Sequence, residues 1–368
     1  MMPTSFESVQ YIRIGNATPK LSDDPGRYQA IIEKMRPYTW EHGIAASYLT
    51  TDDVLQLFDY RSYFSLTDQR SPTDSDHILH KLAGDRLVKE DVGGRWNITN
   101  LGAILFASDL KKFDQSLERK AVRIVCYDGV DRTATVKLRR DGRKGYASDF
   151  EGLLSYINYW LPGNEHIGQA LREEHPMFPP LAVRELVANA LIHQDMTITG
   201  AGPQIELFQD RIEITNPGDP LVETNRMIDL PPRSRNESLA SLMRRMGMCE
   251  EQGSGLDKVF REVEVFQLPA PLLKANDSSM QVVLYGPRSF ADMSEEERVR
   301  TCYFHAVLQF MVGERMKNAT LCQRFGIDSR NAAQASGVLK KALEARLIKF
   351  ADEDHPRAGY HPWWAWFS

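Results

Sequence analysis

The run PPLAVRELVANALIH, at residues 179–193, constrains the fold more than any other part of the chain. Its apolar residues recur at helical spacing, and Glu185, Asn189 and His193 follow one another at intervals of four, which places them on one face of a helix. The apolar stripe of this helix consists of Leu186, Val187, Ala190 and Leu191. The pattern therefore predicts a helix that packs its stripe on a core and presents a polar edge.

A carboxylate and a carboxamide one turn apart on that edge have a direct chemical use. The amide oxygen of Asn189 can ligate Mg²⁺, and the carboxylate of Glu185 can polarise a water molecule. The same pair also fits a surface helix on which the two side chains simply hydrogen bond to each other. The helix alone leaves both interpretations open.

Two further elements follow this helix in the order that a phosphate-binding site needs. Residues 204–208 and 211–215 predict a hairpin that runs into the polar turn NPGDP at 216–220. Downstream, EQGSGL places Gly253 and Gly255 immediately before another helix, where free amide N–H groups and the positive end of the helix dipole bind phosphate. A lone GxG is weak evidence, but three such elements in this order indicate a nucleotide site.

In that order, RELVANALIH, EITNPG and EQGSGL resemble the N-box, the adenine-side glycine box and the phosphate-side glycine box of the GHKL (Bergerat-fold) ATPases. The similarity is to the divergent branch described as the RecG-like C-terminal domain of ATP-dependent helicases or as transcriptional regulators. In that branch the module follows an AlbA-type, Schlafen-like DNA-binding domain, and YIRIGNATPKLSD resembles the closing strand of that domain. The chain thus resembles a truncated member or a fragment, and the resemblance covers residues 97–286 well and the flanks loosely.

The resemblance implies a role for each matching residue. Glu185 takes the place of the water-activating carboxylate, and Asn189 takes the place of the Mg²⁺-binding asparagine. Asn216 stands where better-known members have an aspartate that accepts the adenine amino proton, and an amide oxygen can still accept that bond. The implied nucleotide-binding residues are Asn189, His193, Asn216, Gly218, Arg235, Gly253 and Gly255. The implied cofactors are ATP or ADP and Mg²⁺.

One departure from the family concerns catalysis. No evident second domain supplies the lysine that other members direct at the γ-phosphate. Arg235, in the stretch before a predicted helix that ends at Met246, is the candidate substitute. Nucleotide binding without fast turnover is therefore the expected behaviour.

Each flank of the module has the order of a winged helix, in which helices are followed by a two-stranded wing. Residues 87–91 and 95–98 predict the first wing, and residues 347–350 and 359–361 predict the second. A winged helix either binds DNA or serves as a dimer or domain contact, and the first segment leaves both uses open.

The C-terminal segment is the stronger DNA-binding candidate. Residues 311–350 carry eight basic and three acidic residues in a protein of net charge −5. A helix predicted from Asp328 to Ala345 would present its first turns to the major groove, where Arg, Asn and Gln pair with base edges. The candidate DNA-binding residues are Arg330, Asn331, Gln334, Lys340 and Lys341. A dimerisation or regulatory contact with solvated lysines is the alternative.

A second basic run lies before the nucleotide module. Lys137, Arg139, Arg140, Arg143 and Lys144 accompany a single acid, Asp141. A solvated face explains this run, and contact with a phosphate backbone is the alternative interpretation.

Composition narrows the class of protein. The net charge of −5 and a pI near 6.0 exclude a uniformly basic nucleic-acid coat. No run approaches the roughly 18–20 apolar residues of a membrane span. The cysteines, at 126, 249, 302 and 322, are too far apart for a zinc ribbon or a disulfide framework, so a reducing cytoplasm fits best.

The predicted fold class is α+β and multidomain, with a Bergerat-type α/β sandwich flanked by two winged-helix segments. The expected domains are an AlbA-like remnant at 1–40, a winged-helix-like segment at 41–107, the ATP-binding sandwich at 108–288 and a C-terminal winged helix at 289–368. The predicted function is an ATP-binding regulator of transcription that binds double-stranded DNA and forms a homo-oligomer. The alternatives are a slow Mg²⁺-dependent GHKL-type ATPase of DNA repair or phage defence, and a nucleotide-free protein interaction scaffold.

Overall fold

The computed structural model describes residues 39–167, 172–231, 233–250 and 255–366, together with Tyr11, Lys20 and Ser22. Most of the predicted AlbA-like remnant and the predicted phosphate-side Gly253 lie outside these described residues. No helix in the described ranges is long and apolar enough to cross a membrane. The four cysteines lie within the described ranges, and all of them are free thiols.

The N-terminal unit combines short helices with a three-stranded antiparallel sheet of order β1-β3-β2. Its strands are β1 (Ile44–Leu49), β2 (Val88–Glu90) and β3 (Trp96–Thr99), and its helices are α1 (Thr51–Leu57), α2 (Tyr60–Leu66), α3 (Ser75–Gly84) and α4 (Asn100–Phe106). The predicted hairpin is confirmed as β2 and β3. Helix α4 is buried along its whole length, so this unit shares one core with the sandwich that follows.

A six-stranded mixed sheet forms the centre of the chain, in the order β10-β11-β9-β8-β4-β5. Its strands are β4 (Arg123–Tyr127), β5 (Val136–Asp141), β8 (Gln204–Leu207), β9 (Arg211–Pro217), β10 (Leu272–Asn276) and β11 (Ser279–Tyr285). A separate hairpin pairs β6 (Gly163–Ile167) with β7 (Arg172–Pro176). In the large sheet, β4 and β8 pair in parallel and the other neighbours are antiparallel.

The helices of this central region are α5 (Gln115–Glu118), α6 (Tyr146–Trp160), α7 (Pro180–His193), α8 (Glu237–Arg245) and α9 (Gly255–Val265). One face of the sheet, which includes the cross-strand neighbours Ile124, Ile205 and Ile214, shares one hydrophobic core with α6 and α7. A mixed α/β arrangement of this kind confirms the α+β prediction in its coarse form. The Bergerat and winged-helix assignments stay predictions.

Helix α7 begins with Pro180 in its first turn, where proline costs no backbone hydrogen bond. The predicted stripe is buried, but so are Ala182, Val183, Ala188 and Ile192, because the helix packs on β9, α6 and α9. Even Glu185, on the polar edge, is only 3% exposed. The alternative of a surface helix is therefore wrong.

A carboxylate from the N-terminal unit caps helix α8. The buried Glu41 accepts hydrogen bonds from the backbone N–H groups of Ser238 (3.3 Å) and Leu239 (2.6 Å), which have no partner within the helix. The side chain of Asn236 sits at the cap position but donates instead to the carbonyls of Ile192 and Gln194, both at 2.8 Å. Asn236 thereby ties the start of α8 to the end of α7.

The C-terminal region has its own helices and wing. They are α10 (Glu295–Met311), α11 (Asn318–Phe325), α12 (Ala332–Glu344), β12 (Ile348–Phe350) and β13 (Tyr360–Pro362). The two strands predicted at the end of the chain pair as β12 and β13, and their assignment as the wing of a winged helix stays a prediction. A second hydrophobic core joins this region to α9 and to the sheet, with the rings of Phe260 and Phe304 4.1 Å apart.

The predicted recognition helix starts later than the sequence indicated. Residues Ser329–Asn331 form a 3-10 turn, and α12 begins only at Ala332. The turn forms because the Asp328 carboxylate accepts from the backbone N–H and the guanidinium of Arg330 at 2.9 and 3.0 Å. Arg330 and Asn331 therefore precede the helix instead of lying in its first turns.

Candidate functional site

One cavity collects most of the residues that the sequence singled out. It lies between α7, the end of β9, α8 and the start of α9. The predicted residues that line it are Glu185, Asn189, His193, Asn216, Gly218, Arg235 and Gly255. Gly253 lies outside the described residues. The structure thus brings together residues that are up to 70 positions apart, while their chemical roles stay predictions.

At one end of the cavity, the first residue of α9 faces the polar edge of α7. A Cβ on Gly255 would lie 2.7 Å from Oε2 of Glu185 and 3.8 Å from Nδ2 of Asn189. Any side chain at this position would push against the carboxylate, so glycine is what lets the helix start approach it. The backbone N–H groups at a helix start are a favourable place for an anion.

The Glu185 carboxylate is under electrostatic strain. Its Oε2 atom is buried and has no hydrogen-bond partner among the described residues. Burial raises the pKa of Glu185, and the charge of the nearby Glu250 raises it further; Lys258, Arg184 and a hydrogen bond from the backbone of Glu250 act in the opposite direction. Lys258 hydrogen bonds to Glu250, so its charge is largely committed there.

Sequence reasoning missed Glu250 and Lys258. Both flank the glycine box, at one residue before EQGSGL and three residues after Gly255. Both residues are visible in the sequence, but only the fold shows that Lys258 on α9 and Glu250 before it lie beside Glu185.

The other end of the cavity is formed by the turn after β9. Asn216, near the end of β9, is buried at 6% exposure and lines the cavity beside this turn. Gly218 has a φ of +104°, and a Cβ on it would meet Cβ of Asp195 at 2.6 Å, so both backbone and space require glycine. Apolar side chains line the cavity beside this turn, among them Leu273, Met280 and Val282.

Arg235 belongs to the wall at this second end. Its guanidinium donates to the carbonyl of Asp219 at 2.6 Å and lies 3.9 Å from the Asp195 carboxylate. It is therefore fixed at the Gly218 turn. Its role as a substitute for the family's lysine stays a prediction.

His193 is uncharged at neutral pH. Burial lowers its pKa to about 4, and the positive charges of Arg235 and Arg244 contribute to that shift. A neutral imidazole in the cavity wall can accept or donate a hydrogen bond without adding charge. Arg244, which the sequence did not single out, lines the same wall.

A segment at residues 219–231, here called the cover segment, forms a further wall through Leu221, Met227 and Leu230. The C-terminal region holds this segment in place. The Tyr303 hydroxyl donates to the carbonyl of Asn225 at 2.6 Å, and the Arg226 guanidinium lies 4.4 Å from the centre of the Trp364 ring. No pattern in the sequence predicted this contact.

The C-terminal DNA-binding candidates form no cavity with these residues. Arg330 is 87% exposed in its side chain and is paired with Asp328 at 3.0 Å. Lys341 hydrogen bonds to Glu295, and Lys340 lies 3.9 Å from Glu344. Asn331 and Gln334 lie on the 3-10 turn and in the first turn of α12. The cations are exposed, but each has an acidic neighbour.

Comparisons with known proteins fit this geometry in part. Residues 200–284 match the family described as "Putative ATP-dependent DNA helicase recG C-terminal". The matched segment includes Asn216, Gly218 and Gly255. It begins after α7, so Glu185 and Asn189 lie outside it. This part of the chain is thus similar to an ATPase-like family. No curated protein matches the chain.

Among solved structures, the crystal structure of the DIP2311 protein from Corynebacterium diphtheriae is similar, with a TM-score of 0.54 and 17% sequence identity. The similarity covers 92% of this chain and 66% of that protein. At this level of identity it shows a shared fold alone.

The state of His193 predicts a specific pH dependence. An unfolded histidine binds a proton near pH 6.5, whereas folded His193 does so only near pH 4, so acid favours the unfolded chain. We expect the free energy of unfolding to fall between pH 6.5 and 4, by up to about 3 kcal/mol from this group. Urea unfolding at several pH values should show that His193→Gln removes this component.

The matched control for that measurement is His355→Gln, at an exposed histidine outside the cavity. This variant should keep the wild-type pH profile. A His193→Gln profile that overlays the wild type would show that His193 does not titrate as the geometry indicates.

Proposed function

We propose that the chain binds ATP or ADP with Mg²⁺ in this cavity. One observation carries the proposal: the buried Oε2 atom of Glu185 has no partner among the described residues, and it faces Asn189 and the glycine that starts α9. A buried carboxylate oxygen without a hydrogen-bond partner is costly, and a cation beside it would offset that cost. A phosphate at the start of α9 would complete the arrangement.

The residues present fit such a ligand. Asn189 offers an amide oxygen to Mg²⁺, and Asn216 offers one to the amino group of adenine. The apolar wall at Leu273, Met280 and Val282 suits the faces of a base. When bound, Mg²⁺ would neutralise phosphate charge; Glu185 would orient water near it, with a raised pKa that suits a general base.

Slow turnover, or none, is the second part of the proposal. The cationic side chains that line the cavity are Arg233, Arg235 and Arg244 among the described residues. Arg235 is held at the Gly218 turn, and the nearby Lys258 is bound to Glu250. The similarity of residues 200–284 to an ATPase-like family supports nucleotide binding, and the contacts that hold Arg235 and Lys258 away from a bound phosphate support binding over rapid hydrolysis.

The third part is that the chain acts as a DNA-associated regulator. The cover segment contacts the C-terminal region through Tyr303 and Trp364, and α9 shares the second hydrophobic core with α10. A ligand that changes how the cover segment or α9 is held would therefore bias the position of the C-terminal region. This physical link supports regulation of the C-terminal region by nucleotide.

Asn189→Ala tests the nucleotide site. The change removes the amide ligand without a large loss of packing, and we expect Mg·ATP affinity to fall at least about tenfold, which is a loss of about 1.4 kcal/mol. Isothermal titration calorimetry of the wild type and the variant measures this directly. Circular dichroism and thermal unfolding should show an unchanged fold.

Asn331→Ala, which removes an exposed carboxamide outside the cavity, is the control and should bind Mg·ATP as the wild type does. Equal affinity of Asn189→Ala and the wild type would remove Asn189 as the metal ligand.

Trp364→Ala tests the link to the C-terminal region. The change deletes the ring under Arg226 and the hydrogen bond from Trp364 Nε1 to the Tyr303 hydroxyl (3.1 Å). Since a cation–π contact is worth about 0.5–2 kcal/mol, we expect Mg·ATP affinity to fall by about 2- to 30-fold as the cover segment loosens. Trp366→Ala, at a 90% exposed ring, is the control and should have no effect. Unchanged affinity in Trp364→Ala would disprove the link.

A further inference from the structure

The basic run of the sequence lies on the edge strand of the large sheet. Strand β5 is last in the strand order and pairs with β4 alone among the described strands. The cations on and beside this strand, together with those around α5 and Arg123 on β4, are here called the basic edge. Its members are Lys111, Lys112, Arg119, Arg123, Lys137, Arg139, Arg140, Arg143 and Lys144.

The register of β5 spreads these charges over both faces of the strand. Arg139 stands opposite Val125, and Asp141 stands opposite Arg123. Because Arg139 and Asp141 are two residues apart on β5, Arg139, Asp141 and Arg123 share the open face of the sheet. Arg140 points to the helix face, where its guanidinium lies 4.3 Å from the centre of the Tyr156 ring. A ligand that runs along the edge would therefore meet positive charge on either side of it.

A polar cleft opens within the basic edge. It has a volume of about 400 Å³ and lies between the end of β5, the α5 region and the loop before β8. Its lining includes three cations, Lys111, Arg119 and Arg123, two acids, Glu118 and Asp141, and the glycines Gly142 and Gly200; Asp141 is the acid that pairs with Arg123. Cationic side chains beside side-chain-free backbone are the surroundings that a phosphate group requires.

Most of this charge is not neutralised within the chain. Arg123 pairs with Asp141, Lys137 pairs with Asp128, and Arg143 pairs with Asp109. The remaining members have no acidic group within ion-pair distance among the described residues. By contrast, each of the three C-terminal candidate cations has an acidic neighbour, as described above.

We propose that the basic edge binds the sugar–phosphate backbone of duplex DNA, with a phosphate in the cleft, and supplies more of the DNA affinity than α12 does. This inference rests on the DNA association proposed above and is independent of the nucleotide site. Backbone contacts of this kind depend on charge and carry no sequence preference. Basic side chains on an edge strand also prevent it from pairing with strands of other chains. The inference would be overturned if the cations of the basic edge served only this protective role.

The test is fluorescence anisotropy of a labelled duplex with the full chain at several salt concentrations. In Arg119→Ala/Arg139→Ala, two phosphate contacts are lost, so the slope of log affinity against log salt should flatten by about 1.8, or about 0.9 for each contact. Random duplexes should be affected equally. Lys340→Ala/Lys341→Ala should change the slope by less.

The matched control removes two exposed cations elsewhere, in Arg261→Ala/Lys274→Ala, with Lys274 on the opposite edge strand β10. This variant should keep the wild-type slope, and thermal unfolding should show that all three variants fold. An unchanged slope in Arg119→Ala/Arg139→Ala would overturn the inference. If Lys340→Ala/Lys341→Ala alone loses affinity, the DNA association stands and the basic edge is not its site.

Two further outcomes would also overturn the inference. The first is a wild-type chain that binds no duplex even at low salt, which ends the DNA part of the proposed function as well. The second is binding of polyglutamate without binding of DNA, which would assign the surface to acidic protein segments. Calorimetry with Mg·ATP reports on the nucleotide site separately in each case.

Discussion

The structure around the cavity depends on one buried carboxylate. Glu185 is placed by a helix that the sheet, α6 and α9 cover on several sides, so its charge is withdrawn from water. A buried charge of this kind is tolerated where an opposite charge compensates for it. Lys258 lowers the pKa of Glu185, but its ammonium group hydrogen bonds to Glu250. Gly255 is what lets the start of α9 approach that carboxylate. The proposed Mg·ATP ligand would bring both a cation for this carboxylate and an anion for the start of α9.

A second dependence runs from the cavity to the C-terminal region. Helix α9 begins at the carboxylate and ends where Glu264 contacts Nδ1 of His305 on α10 at 2.7 Å. Phe260 and Phe304 pack between those two ends, and the cover segment is held by Tyr303 and Trp364. Phe260, Phe304 and Tyr303 belong to the second hydrophobic core, which also includes Leu273 and Met280 of the cavity wall. This shared core gives the proposed regulation a physical basis.

Local patterns in the sequence predicted the parts of the site that depend on local rules. Helical spacing predicted α7 and its polar edge, the polar run NPGDP predicted the turn at the end of β9, and the glycine box predicted the start of α9. Contacts between distant segments were beyond such rules. Glu41 caps a helix almost 200 residues away, and nothing near Glu41 in the sequence indicates it. Arg330 was wrongly predicted to lie in the recognition helix. Its hydrogen bonds to the Asp328 carboxylate hold it in a 3-10 turn before the helix, despite the helical pattern of the surrounding residues.

The central claim is that the cavity binds nucleotide, and thermal unfolding of the wild-type chain with and without Mg·ATP tests it most directly. A ligand at 100 times its dissociation constant stabilises the folded state by about 2.7 kcal/mol, so millimolar Mg·ATP should raise the unfolding midpoint measurably. Mg²⁺ without nucleotide should raise it much less. An unfolding midpoint that stays the same at millimolar Mg·ATP would contradict the account and favour a protein that keeps the fold as a nucleotide-free scaffold.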